Sequence, residues 1–149
     1  MNQLIIQEAD FQRARKKIRE AKSSGIKTIF SGVDDELNRK ILEKENIDVL
    51  MVQLKERKDF SKQRNSGFNQ VMAKLAKKKN VNLGIDLDEI LKSDKKEKAK
   101  ILSRLRQNIS LAKKNKLKIQ FISKNKQDRY NLKSLGLVLG MPTWMTKEI

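Results

Sequence analysis

The residues of this chain that are best suited to chemistry are cations, and they gather in two short segments. The first segment holds Lys55, Arg57, Lys58, Lys62 and Arg64, and the second holds Lys124, Lys126, Arg129 and Lys133. A lysine or arginine set against a phosphate releases counterions that are condensed on a nucleic acid, and this release favours binding. The two segments therefore predict contacts with a phosphate backbone.

The overall composition supports binding more than catalysis. The chain carries 35 Lys and Arg against 18 Asp and Glu, a net charge of +17, and it has no histidine and no cysteine. Histidine is the side chain that titrates near neutral pH without help from its surroundings, and it is the commonest metal ligand. The absence of cysteine excludes thiolate nucleophiles, disulfides and cysteine-ligated zinc sites. We therefore expect no catalytic residues and no bound metal or other cofactor.

The length and the apolar residues predict one folded domain over residues 1–149. Hydrophobic residues make up 38% of the chain and come in short, regularly spaced blocks, which favours a packed core over a disordered basic tail. No apolar run approaches the roughly 20 residues that span a bilayer, and the first residues do not resemble a secretory signal. We expect a cytoplasmic protein with no membrane partner.

The hydrophobic periodicity predicts alternating strands and helices. The predicted strands cover residues 4–6, 26–31, 48–52, 81–87 and 116–123. One helix begins after Asp10 and ends at Gly25, and a second begins at Asp34 or Asp35 and ends at Asn46. A third turns Phe68, Val71, Met72 and Leu75 inward. A long helix capped by Asp88 reaches about Asn115, and the last helix covers residues 132–139.

Five consecutive βα units predict an α/β fold with a parallel sheet and right-handed crossovers. Five strands are too few to close the usual eight-stranded barrel. We therefore expect parallel (β/α) units that form a partial or shortened TIM-like barrel, or a strongly curved open sheet.

The predicted fold brings the two cationic segments together. In parallel sheets of either kind, functional loops lie at the carboxyl ends of the strands, and the two segments follow the third and fifth predicted strands. We expect Arg57, Lys58, Lys62, Arg64, Lys124, Lys126, Arg129 and Lys133 to form a binding surface. The competing interpretation is that these side chains simply face solvent.

Three acidic residues follow the fourth predicted strand. Asp86, Asp88 and Glu89 are of the type that could hold Mg²⁺. They equally fit a helix start, with Asp88 as the cap and the other two facing the positive end of the helix. The second interpretation is favoured because no histidine or further carboxylate cluster completes a metal site.

Aromatic residues are only 5% of the chain, so base stacking is not expected to be the main mode of binding. Tyr130 and Trp144 are the candidates for it. The chain contains no Walker-type or dinucleotide-binding glycine motif.

Five segments, in their order and spacing, resemble the ribonuclease P protein component 3 family, the thirty-kilodalton subunits of archaea and eukaryotes. They read QRNSGFNQV at 63–71, AKLA at 73–76, SRLRQNI at 103–109, YNLK at 130–133 and SLGLVLGM at 134–141. Two departures stand out within them. Asn65 and Asn69 carry amides where family members usually have aspartates, and the connection after Lys133 is shorter. The chain also looks shortened before its first strand by about two βα units.

The resemblance implies a barrel-like fold and a noncatalytic, RNA-binding role. Members of this family support an RNA that removes the 5′ leader from precursor tRNA and uses Mg²⁺ to do so. The implied partners are ribonuclease P RNA, precursor tRNA indirectly, and ribonuclease P protein component 2. Arg64 and Lys133 are the matched cations most directly implicated in RNA contacts.

Two other functions remain open at this point. One is a general scaffold for structured or ribosomal RNA, and the other is a metal-dependent phosphoesterase of the related barrel superfamily. The second fits poorly with a chain that has no histidine.

Overall fold

The fold is a parallel sheet whose strands alternate with helices, seen in a computed structural model that describes residues 2–149. The strands are β1 (Gln3–Glu8), β2 (Lys27–Gly32), β3 (Val49–Met51), β4 (Asn82–Asp86) and β5 (Ile119–Ile122). The helices are α1 (Phe11–Ser23), α2 (Asp35–Lys44), α3 (Gln70–Lys78), α4 (Leu87–Lys92), α5 (Lys95–Lys114), α6 (Arg129–Val138) and α7 (Thr143–Thr146).

The strands lie in the sheet in the order in which they occur along the chain, β1-β2-β3-β4-β5, and every neighbouring pair is parallel. Strands β1 and β5 are the two edges, so the sheet formed by residues 2–149 is open. This arrangement confirms the α/β prediction of parallel βα units in a partial barrel.

The main core lies between the helices and one face of the sheet, here called the outer face. Along each strand alternate residues point to opposite faces, and Ile6, Phe30, Leu50 and Leu83 are all buried in this core. The helices contribute apolar residues at helical spacing, as α5 does with Ile101, Leu105, Ile109 and Ala112. Burial of these side chains is what holds each helix against its strand.

The other face of the sheet is concave. Ile5 of β1 and Ile122 of β5 line one cleft of about 360 Å³, although four strand spacings, roughly 19 Å in a flat sheet, separate these strands. Lys27 Nζ of β2 also donates a hydrogen bond of 2.8 Å to Oε1 of Gln120 in β5. The sheet is therefore curled like part of a barrel wall.

Most helices begin at a side chain that accepts a hydrogen bond from the first turn, because the first backbone N–H groups of a helix have no partner within it. These N-cap residues are Asp10, Asp34, Asn69, Asp86, Asp94 and Asp128. Asp10 and Asp34 confirm the predicted starts of α1 and α2.

Three local predictions were wrong. Asp88 does not cap a helix; Asp86 caps α4, and the expected long helix is two helices that meet at Ser93 and Asp94. Val71 is exposed because α3 turns Met72, Ala73 and Ala76 toward the core.

None of the helices within residues 2–149 combines the length and the apolar character needed to cross a membrane.

The concave face gives a test of the packing that shapes the sheet. A Cβ at Gly84 would lie 2.8 Å from Cγ1 of Val49 and 3.3 Å from Cβ of Met51. We expect Gly84→Ala to lower the free energy of unfolding by about 1–3 kcal/mol, because the added methyl group would overpack the concave face. Urea denaturation measures the change, with the exposed substitution Ser110→Ala as control. Equal stability of the two variants would contradict the packing described here.

Candidate nucleic-acid interface

Both predicted cationic segments lie at the carboxyl edge of the sheet. The first belongs to the β3 loop, defined as residues 52–69 between β3 and α3, and the second begins in the β5 loop, defined as residues 123–128 between β5 and α6. Strand β4 and the short helix α4 stand between the two loops.

A buried arginine fixes the first half of the β3 loop. Arg104 of α5 is only 1% exposed, and its guanidinium donates to the carbonyl oxygens of Leu54 at 2.7 Å and Arg57 at 2.6 Å. Its Nε also donates to Oδ1 of Asp59 at 3.0 Å. A buried cation must have its N–H groups paired, and here the loop backbone and one carboxylate pair them.

Two amides on the same helix hold the second half of the β3 loop. Gln107 Nε2 donates to the carbonyl oxygen of Arg64 and to Oγ of Ser66, each at 2.9 Å. Asn108 Nδ2 donates to the carbonyl oxygen of Ser66 at 3.1 Å. The segment 103–109 thus acts as a clamp, and its contacts with the loop depend on residues more than 40 positions apart.

Glu89 of α4 holds the start of the β3 loop. Its carboxylate accepts hydrogen bonds from the backbone N–H groups of Leu54, at 3.1 Å, and Lys55, at 2.7 Å. Burial of Glu89 raises its pKa above the ordinary value, and the two backbone donors oppose this rise.

Asp88 of the same helix turn holds the β5 loop. Its carboxylate accepts from the backbone N–H of Lys124 at 2.9 Å and from Oγ of Ser123 at 2.7 Å. The Lys124 N–H, followed by the Ser123 hydroxyl, lowers the pKa of Asp88. The side chains of two adjacent residues of α4, Asp88 and Glu89, therefore accept hydrogen bonds from the backbones of both loops.

The acidic cluster is explained by these contacts. Asp86 accepts the N–H of Glu89 as the cap of α4, whereas Asp88 and Glu89 lie in the first turn and hold the loops. Within residues 2–149 no group of three acidic side chains is placed to hold a metal ion. The prediction that these three residues lie at the start of a helix is confirmed, but the N-cap is Asp86 and not Asp88.

Arg57 is the predicted contact residue that the structure engages most fully. Its guanidinium pairs with Asp35 at 2.7 Å, and its Nε donates to the carbonyl oxygen of Gln53 at 2.6 Å. The side chain is 14% exposed. A Cβ at Gly67 would overlap this guanidinium, so the glycine leaves room for it. Arg57 braces the loop, and its contact with RNA stays a prediction.

The other three predicted contact residues of the β3 loop face solvent. Lys58, Lys62 and Arg64 are exposed, and Arg64 Nη1 pairs with Asp59 at 2.9 Å. Since the loop backbone is clamped, these side chains project from a fixed path. Within residues 2–149 the ion pairs engage Arg57 and Arg64 but neither of the two lysines.

The second predicted group spans the β5 loop and the start of α6. Lys124 and Lys126 are exposed in the loop, and Arg129 is exposed in the first turn of α6. The Nε of Arg129 donates to the carbonyl oxygen of Ile149. Lys133 lies one turn further along the helix and is half-buried.

The two loops share one edge but border different clefts. Lys124 lines the cleft over the concave face together with Asp86, Asp88 and Glu89. Arg64 lines a second cleft of about 350 Å³, which the β3 loop forms with residues of α2, α3 and α5. We call the cations of the β3 loop the β3 arm and those of the β5 loop and the start of α6 the β5 arm; α4 contacts both loops through Glu89 and Asp88.

Arg104 was missed as an individual site residue in the sequence analysis, although a signal for it exists. It stands between Ile101 and Leu105 on the buried stripe of α5. A charged residue in the apolar stripe of an amphipathic helix must find partners within the protein. Which partners it finds depends on contacts with a loop about 50 residues earlier, and periodicity does not carry that information.

The clamp predicts that one arginine of α5 matters far more than its neighbour. We expect Arg104→Met to lower the free energy of unfolding by about 3 kcal/mol, because it breaks a buried pair and leaves loop carbonyls unsatisfied. Arg106→Met, two positions away and exposed, should change it by less than about 1 kcal/mol. Urea denaturation measures both variants, and similar losses would contradict a specific role of Arg104.

Asp59 predicts a pH dependence of stability. Hydrogen bonding to Arg104 holds the pKa of Asp59 well below its ordinary value of 3.8. The unfolded chain therefore takes up this proton at a higher pH than the folded chain, so the stabilisation is present above pH 3.8 and is lost as the pH falls further. Asp59→Asn should flatten this acid loss, measured by urea denaturation at pH about 5 and about 3. Parallel pH profiles for variant and wild type would contradict the assignment.

Comparison with known proteins identifies the family to which the sequence belongs. The sequence model described as RNase P subunit p30 matches residues 3–146. Ribonuclease P protein component 3 from one strain of Methanococcus maripaludis is 27% identical over 121 residues, which are 81% of this chain and 49% of that protein. The same protein from another strain is 26% identical over 121 residues. The chain spans about half the length of the curated relatives it matches.

Two solved structures share the fold. One is a chain in the cryo-EM structure of archaeal ribonuclease P with mature tRNA, with a TM-score of 0.81 and 23% identity over 96% of this chain and 62% of that chain. The other is the crystal structure of an uncharacterized protein, with a TM-score of 0.55 and 11% identity over 81% of this chain and 33% of that chain. The match of the family model over nearly the whole chain shows that this protein belongs to the RNase P subunit p30 family.

Proposed function

We propose that this chain is a noncatalytic RNA-binding subunit of ribonuclease P that supports RNA-catalysed removal of the 5′ leader from precursor tRNA. Its family and the names of its curated relatives support this proposal. The observation that carries it is the clamped β3 loop, which turns Lys58, Lys62 and Arg64 to solvent beside a second cationic arm.

The mechanism is electrostatic positioning. Each exposed cation that meets a phosphate releases counterions and lowers the repulsion between RNA segments. Because α4 and α5 fix the loop backbones, little conformational entropy is lost when the loops bind. The RNA would then fold compactly at a lower Mg²⁺ concentration. The Mg²⁺ of the reaction belongs to the partner RNA, and this protein binds no cofactor of its own.

The partners follow from the same proposal. Ribonuclease P RNA is the direct ligand, precursor tRNA is reached through that RNA, and ribonuclease P protein component 2 is the protein partner. A solved neighbour of the same fold is part of an archaeal ribonuclease P structure with mature tRNA, which supports an RNA partner. The assembly would act in the cytoplasm.

Capture of the tagged protein from its native cells, followed by sequencing of the bound RNA, tests the identity of the ligand. Dominance of ribonuclease P RNA would support the proposal. A broad mixture of ribosomal and transfer RNAs would contradict it and would favour a general RNA scaffold.

The salt dependence of binding tests the residues. We expect Arg64→Ala and Lys133→Ala each to weaken RNA binding and to reduce the slope of log Kobs against log salt by about 0.7–1. Lys78→Ala is the matched control, since Lys78 is exposed at the end of α3, at the opposite edge of the sheet. An unchanged slope for Arg64→Ala or Lys133→Ala would remove that residue from the interface.

A further inference from the structure

Phe60 is an apolar side chain that the fold leaves in water. It is 58% exposed, at the tip of the β3 loop, beside Lys58 and Lys62. The residue before it is anchored, because the carboxylate of Asp59 accepts from Arg104, from Arg64 and from the backbone N–H of Asn65. The ring thus follows an anchored residue and lies in solvent instead of packing into the core.

The cleft beside Phe60 has polar, largely charge-balanced walls. Its volume is about 350 Å³, and its lining includes the amide side chains of Gln63, Asn65, Asn69 and Gln107. Asn65 is bonded within the protein through both its amide atoms. Within residues 2–149, Gln63, Oε1 of Gln107 and Nδ2 of Asn69 make no side-chain hydrogen bond, so they leave amide donors and acceptors for a ligand. The volume lies within the range of about 300–1,000 Å³ seen for small-molecule sites.

The charges at this cleft are mostly paired. Arg64 pairs with Asp59, Asp35 pairs with Arg57, and Arg39 pairs with Glu43, leaving Glu36 as an acidic residue at the rim. A phosphate would gain little among these pairs inside the cleft, whereas Arg64, whose side chain is 49% exposed, can still meet a phosphate from the solvent side. An uncharged planar group with hydrogen-bonding edges suits it better.

We propose that Phe60 stacks on the base of an unpaired RNA nucleotide, whose edge enters the cleft while the adjoining phosphates meet Lys58 and Lys62. This inference rests on the proposed function and assigns unpaired RNA as the class of ligand for the β3 arm. Stacking on an aromatic side chain tolerates any base, since every base has a π face. The arm would therefore select a single-stranded or bulged segment over a regular duplex.

The test uses the full chain and two short RNAs, a single-stranded oligouridine and the same RNA with abasic residues. The second RNA keeps the phosphates and lacks the bases. We expect Phe60→Ala to weaken binding of oligouridine about tenfold, Phe60→Trp to preserve it, and neither to alter binding of the abasic RNA. Fluorescence anisotropy measures the affinities.

Val138→Ala is the matched control because Val138 is also exposed, at 69%, and lies on α6. It should bind both RNAs as the wild type does. The slope against salt should be the same for Phe60→Ala and wild type, because no cation is lost.

Two results would overturn the inference while leaving the proposed function intact. In one, Phe60→Ala binds oligouridine as tightly as the wild type, as expected if Phe60 serves a protein partner. In the other, Phe60→Ala loses affinity equally for the abasic RNA, which would mean that the ring shapes the loop and does not stack. Failure of the wild type to bind oligouridine would also overturn the inference, whereas the proposed function is tested separately by the RNA captured from native cells.

Discussion

The buried guanidinium of Arg104 is the constraint on which the candidate interface depends. A cation removed from water is stable only when its N–H groups are paired, and most of the partners here come from the β3 loop: two carbonyl oxygens and the carboxylate of Asp59. The loop must therefore follow one path around the arginine. The lysines of the loop lie on the outside of that path. Burial of the Arg104 guanidinium thus determines the positions from which the exposed lysine side chains project.

Acidic residues have a structural role in this strongly basic protein. Its net charge of +17 opposes a compact state through self-repulsion, and carboxylates are placed where cations or backbone donors crowd. Glu45 pairs with both Arg15 and Arg19. Asp88 and Glu89 instead take backbone N–H groups of the two loops. The carboxylates of Asp88 and Glu89 are thereby engaged by the loop backbones within the protein.

Local rules predict the fold well because the βα rhythm and most helix starts depend on nearby residues. Asp10 and Asp34 act on the turn that follows them, and the strands are marked by their own apolar residues. The error at Asp88 arose because its partners, Ser123 and Lys124, lie 35 and 36 residues later. The placement of cations in loops could be predicted. The partners of Arg57 and Arg104 could not, since these contacts join residues that are distant in the sequence, although the burial of Arg104 follows from its place on the apolar stripe of α5.

The order of the sheet has a consequence for how proteins of this family can differ in size. Each strand pairs with its neighbours in sequence. A further βα unit can therefore pair with the free edge of the sheet without changing the existing strand order. An added βα unit at β1 would lengthen the wall without rethreading any existing connection. The loops and helices of the candidate interface follow β3, β4 and β5, two strands away from that edge. A βα unit added beside β1 would therefore leave the paths of the β3 and β5 loops, and the helices that hold them, unchanged.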